Sequence, residues 1–163
     1  MKVLTSLFIL SIAITAAAQS GRTVANDTAA ANETTVREMY DEVNGYVRAK
    51  GAEYDAKKVL FSDRLFAQAK LEQRQMAAKY AAVAGARKDL AGEDFYFLGM
   101  LNWVAENMDG TAEALRKFIA LDAAEPVRQQ TARSIVIVVL AKQKKLDEAE
   151  ILLAEYLKIE PTK

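Results

Sequence analysis

The chain has 163 residues, with 22 Lys plus Arg, 22 Asp plus Glu, and neither Cys nor His. That inventory excludes disulfides, Cys/His zinc sites and any nucleophile–histidine triad within this chain. The charge balance argues against nucleic-acid binding and against an anionic membrane surface, both of which need clustered surplus positive charge. Thirty alanines against two prolines and seven glycines favour helix throughout.

Met1-Lys2 opens an apolar run over residues 3–14, and Ala16-Ala17-Ala18 follows as a small-x-small cleavage pattern. A run of about a dozen residues is too short to span a bilayer, which takes about twenty. Residues 1–18 therefore read as a secretory signal peptide cut between Ala18 and Gln19, with an uncleaved anchor as the alternative. The expected mature chain is periplasmic or extracellular and carries a net charge of 21 − 22 = −1 once Lys2 is removed. Residues 19–33 are small and polar without a periodic apolar face, as in a disordered linker. The sequons at Asn26 and Asn32 are chance matches in so Asn- and Thr-rich a stretch.

Thr35 with Glu38 forms a capping box, and Val36, Met39, Tyr40, Val43, Tyr46 and Val47 then recur at helical spacing. Gly51 is the predicted end of this first helix. Ser62-Asp63 caps a second, whose inner face is predicted as Phe66, Ala69, Gln73, Met76, Ala77, Tyr80 and Ala84. Leu90-Ala91-Gly92 breaks the chain again. Further helices are expected over about 94–107, 111–123, 127–144 and 147–159. Ile135-Val136-Ile137-Val138-Val139-Leu140 alone would suit a buried strand. Its flanks of Gln, Ala, Arg and Lys leave no turn before Leu140, so it reads as a buried helix. The chain thus divides into a helical pair over 34–91 and two further helix pairs over 92–163.

An internal repeat supports that division. Glu113, Ala114, Phe118 and Pro126 fall on Glu148, Ala149, Leu153 and Pro161 at an offset of 35 residues (148 − 113). A period in the thirties built of helix pairs is the pattern of an α-solenoid.

These segments resemble the tetratricopeptide repeat. Leu98-Gly99 looks like its first-helix Leu-Gly pair. Ala114, Phe118 and Pro126, then Ala149, Leu153 and Pro161, look like its small residue, its apolar filler and its terminating proline. Asn102 stands where an aromatic is common, and the second copy has no Leu-Gly pair. The resemblance implies an all-α fold: a short α-solenoid of antiparallel helix pairs preceded by two longer helices. A looser resemblance covers 34–161 and is to the N-terminal helical region of exported bacterial thioredoxin-like thiol–disulfide oxidoreductases. It implies a catalytic domain beyond Lys163.

On the repeat reading, Tyr96, Met100 and Trp103 face a concave groove, joined by Thr131, Ile135 and Val138 of the next first helix. The alternative place for Trp103, the sole tryptophan, is against the second helix of the chain. The sixth helix spreads its apolar residues over an arc of about 160°, wider than one core-facing stripe. Something is expected to cover it, whether a partner, a second copy, a further domain or the first two helices folded back. Glu38, Asp41 and Glu42 read as a solvated face, and Lys142, Lys144 and Lys145 as charge complementing a helix C-terminus. No serine lies in a Gly-x-Ser-x-Gly turn. The function expected is that of a non-catalytic protein-interaction module without metal or cofactor. It would bind a protein partner or itself, and neither nucleic acid nor membrane after cleavage. The alternative is the front part of the oxidoreductase named above.

Overall fold

The computed structural model describes residues 34–60, 62–121 and 125–158. The predicted leader, the linker and Pro161 lie outside them. Six helices occupy the described residues, with no strand among them: α1 (Val36–Ala56), α2 (Asp63–Gly85), α3 (Asp94–Val104), α4 (Met108–Ile119), α5 (Pro126–Lys142) and α6 (Leu146–Lys158). The chain is all-α, and consecutive helices pack on one another, with α1 also against α3.

The capping box opens α1. Thr35 Oγ1 accepts from the Glu38 amide at 3.2 Å, and the Glu38 carboxylate accepts from the Thr35 amide at 2.8 Å. Gly51 does not end this helix. It lies inside α1, where Glu53 pairs with both Lys50 and Lys57 and carries the helix on to Ala56. The left-handed residue that stops α1 is Lys58, at φ 55°.

The same exit recurs at Glu106 (φ 61°) and Lys144 (φ 63°). In each case the residue after it donates back to a carbonyl five positions earlier at 2.9 Å: Val59 to Tyr54, Asn107 to Asn102, and Lys145 to Leu140. These bonds satisfy carbonyls that a helix end leaves open, so the chain folds as three hairpins, α1/α2, α3/α4 and α5/α6.

The turns correct the repeat register. Glu106 and Lys144 are 38 residues apart (144 − 106), not 35. Thr111 and Ala149 then occupy one place: both are buried, and their amides bond to Asn107 O and Lys145 O. Phe118 and Leu153 are not equivalent, for Phe118 is fully buried and Leu153 is 41% exposed. Under the 35-residue offset Ala114 and Ala149 are both buried, but matching identities in helices rich in Ala, Leu and Glu also set buried Phe118 on an exposed residue. Pro126 also changes role. The fourth helix has already ended at Ile119, and Pro126 stands at the first turn of α5, where its missing N–H costs nothing. Glu125 caps that turn, accepting from the Val127 and Arg128 amides at 3.0 Å.

The core runs from Val36, Met39 and Val43 of α1 through the alanines of α2 to Phe97, Leu101, Leu115 and Phe118, and on to Val136 and Leu140. The β-branched run is therefore helical, with Val136, Val139 and Leu140 buried. Within α3/α4 two residues govern the approach. Gly99 leaves room for Leu115. Asn102, buried, donates to Leu98 O at 2.9 Å and accepts from Asn107 Nδ2 at 2.8 Å. Asn107 in turn caps α4 by accepting from the Gly110 amide, so α4 begins one turn before the predicted Thr111.

Candidate functional site

The α1/α2 hairpin is longer than α3/α4: α1 has 21 residues, α2 has 23 and α3 has 11. At about 1.5 Å per residue, the excess in α1 amounts to about 15 Å of unmatched helix. Past the end of α3 the long hairpin has no neighbour on that side among the described residues. Phe66, predicted for the inner face, is accordingly 43% exposed there. The step between long and short helices makes a groove of about 750 Å³. Tyr40 and Asn44 come from α1, Lys70, Leu71 and Arg74 from α2, Met100, Trp103 and Val104 from α3, and Lys142 from the end of α5.

Its floor is apolar and its rim is cationic. Lys142 Nζ lies 5.3 Å from the Trp103 ring centroid, an attraction worth about 0.5–1 kcal/mol where water reaches it. Arg74 spans the mouth to Glu106 at 2.7 Å. Lys70 donates to Gln73 Oε1 at 3.3 Å and lies 5.7 Å from the Phe66 centroid. Gln73 is buried because its Nε2 donates to Val43 O at 2.8 Å, which ties α2 to α1 beneath the groove. Three cations therefore line the groove against one carboxylate, Glu106. Burial, with the charge of Asp41 adding to it, raises the pKa of Tyr40.

Of the residues predicted to face a groove, Met100 and Trp103 line this one, both half-buried. Trp103 meets α2 residues across the groove and touches Lys142 of α5, so it is not enclosed in the core. Tyr96 is in the core instead. Its ring lies 5.4 Å from Phe97 and 5.2 Å from Phe118, under the Arg128 guanidinium. Counting from Gly99 places it on the groove stripe, but α4 and Arg128 close over that end of α3. Arg128 is held there by an ion pair with Glu93. Thr131, Ile135 and Val138 do not line the groove. Thr131 Oγ1 bonds back to Val127 O at 3.0 Å, Ile135 packs on the core, and Val138 is 44% exposed. Lys142 continues their i, i+4, i+7 series to i+11, and that continuation was the available signal for its place beside Trp103.

The acidic cluster is accounted for locally. Glu38 serves the capping box, Asp41 lies 3.8 Å from Arg37, and Glu42 accepts from Tyr80 at 2.6 Å. No group of three metal-ligating side chains occurs among the described residues. Ser62 caps α2 and Ser134 donates to Thr131 O, so both hydroxyls serve the backbone. No helix among the described residues is long and apolar enough to cross a membrane. Compared with known protein families, curated proteins and solved structures, the chain matches none.

Proposed function

We propose that this chain is an exported, tetratricopeptide-like protein-interaction module without catalytic activity of its own, and that the groove beside Trp103 receives a segment of a partner protein. The observation that carries the reading is the groove's composition: an apolar floor of Leu71, Met100, Trp103 and Val104 under Lys70, Arg74 and Lys142. An apolar concavity with a few fixed charges is the usual form of a recognition site, and its sign selects a segment bearing carboxylates. Export rests on the apolar run over 3–14 and on Ala16-Ala17-Ala18. A mature N-terminus at Gln19, read by protein sequencing, is the result expected.

Trp103 is the only tryptophan, so its emission reports on the groove alone. The test is a fluorescence titration with a synthetic peptide of alternating Glu and Leu, against its Lys–Leu counterpart. The acidic peptide should change the emission saturably, weaken as salt is added and fail with the Lys70→Glu/Lys142→Glu variant. Equal response to both peptides, or to neither, overturns the reading.

A further inference from the structure

The 38-residue register sets α6 beside α4 and exposes a difference between them. Leu115, fully buried in α4, corresponds to Leu153, 41% exposed. Ile119, half-buried and packed on the core, corresponds to Leu157, 71% exposed, and half-buried Met108 to Leu146, 57% exposed. At 100° per residue Leu146, Leu153 and Leu157 lie within about 40° of one another, a single stripe beside the buried Ala149. The stripe is the α4 pattern without a cover.

The charges along its edge are arranged for self-pairing. Asp147 and Glu150 lie in the first turns of α6 and Lys158 at its end, on the same flank of the leucine stripe. When two copies of one helix meet antiparallel about a two-fold axis, each flank lies beside the same flank of its mate. Centred on Leu153, such a pairing sets Lys158 of one chain against Asp147 and Glu150 of the other, twice. A parallel two-fold pairing would set each flank beside the opposite flank of its mate, and Lys158 would meet neither Asp147 nor Glu150. Opposed helix dipoles favour the antiparallel arrangement as well.

We infer that the exposed leucine stripe of α6 is a homodimer interface, occupied by α6 of a second copy in antiparallel orientation with Leu153 at its centre. This surface is separate from the Trp103 groove, and it stands or falls independently of peptide binding there.

The test is sedimentation equilibrium of the purified chain over a range of about 1–100 μM, concentrations at which an interface of modest size associates. A concentration-dependent dimer is expected. Leu153→Asp/Leu157→Asp should remain helical, since both side chains are exposed, and should weaken association by about tenfold or more. Lys158→Glu should weaken it through repulsion. Combining Lys158→Glu with Asp147→Lys/Glu150→Lys should restore it, because the exchanged charges again meet their opposites. A monomer at every concentration overturns the inference and leaves the stripe to a different occupant, such as a following domain. A dimer indifferent to the leucine changes, or one that the charge exchange fails to restore, overturns it too.

Discussion

Leu115 fills the space that a β-carbon on residue 99 would need: a Cβ there would lie 2.5 Å from Leu115 Cγ and 3.3 Å from its backbone nitrogen. The close approach of α3 to α4 thus depends on glycine for its missing side chain. Gly99→Ala should destabilise the chain by about 1–3 kcal/mol, the usual cost of an added methyl in a filled core. Leu115→Ala, which empties a fully buried site, should cost about 2–5 kcal/mol. The double variant should cost less than the sum, because the cavity of one accepts the methyl of the other. Urea unfolding of all three checks this.

Asn107 has two tasks, and they separate by substitution. Its carbonyl oxygen caps α4 and its amide nitrogen holds Asn102. Asn107→Ala should lose about 1–2 kcal/mol. Asn107→Ser keeps the cap alone and should fall between wild type and Ala in the same unfolding experiment.

Trp103→Ala should leave a cooperatively folded protein with a loss of about 1–2 kcal/mol, well below the roughly 3–5 kcal/mol expected for fully buried Phe118→Ala. Lys142→Ala should change Trp103 emission without moving the melting temperature appreciably. Thermal melts followed by circular dichroism, paired with fluorescence spectra, test both.

Alkaline pH should destabilise the fold in a defined window. Burial of Tyr80, its hydrogen bond to Glu42 and the charge of Glu42 raise its pKa from 10.0 to about 12. The folded chain therefore keeps a proton that the unfolded chain releases above about pH 10. The associated stability is whole below that pH and lost as pH climbs through about 12. Tyr40 and Tyr96, raised first by burial, and Tyr46, raised first by its bond to Glu72, act in the same direction. Unfolding free energies between pH 9 and 12 should fall, and Tyr80→Phe should flatten that slope. At the acid end Glu38, Glu53 and Glu72 are lowered below 4.5 by their hydrogen bonds. Their contribution is present above that pH and is lost as pH drops through the lowered values.

The sequence was informative where structure is local. The capping box at Thr35 and the Ser62 cap need only residues three apart, and both form. The β-branched run over 135–140 resolves into a helix because its flanks exclude a turn. Non-glycine left-handed turns gave no comparable signal. Lys58, Glu106 and Lys144 stop helices without a glycine to announce them, so neither the true end of α1 nor the 38-residue spacing of the turns is visible in residue identity. The groove was least legible of all. Met100 and Trp103 follow from helical spacing, but Lys70, Arg74 and Lys142 join them through the unequal lengths of three helices. Such a step in length is a property of the assembled hairpins and of no single segment.

Ala149 is the one buried side chain of α6, whereas α4 buries Thr111, Ala112, Ala114, Leu115 and Phe118. Stability in an array of stacked helices is a sum of neighbour terms, and among the described residues α6 packs mainly on α5. Its amide protons should exchange with solvent first, through openings that leave α3 and α4 closed. Occupancy of the leucine stripe would slow that exchange in proportion to how seldom the mate departs. The lifetime of the terminal hairpin in solution is then a clock for contact between two molecules, readable by mass spectrometry without a label on either.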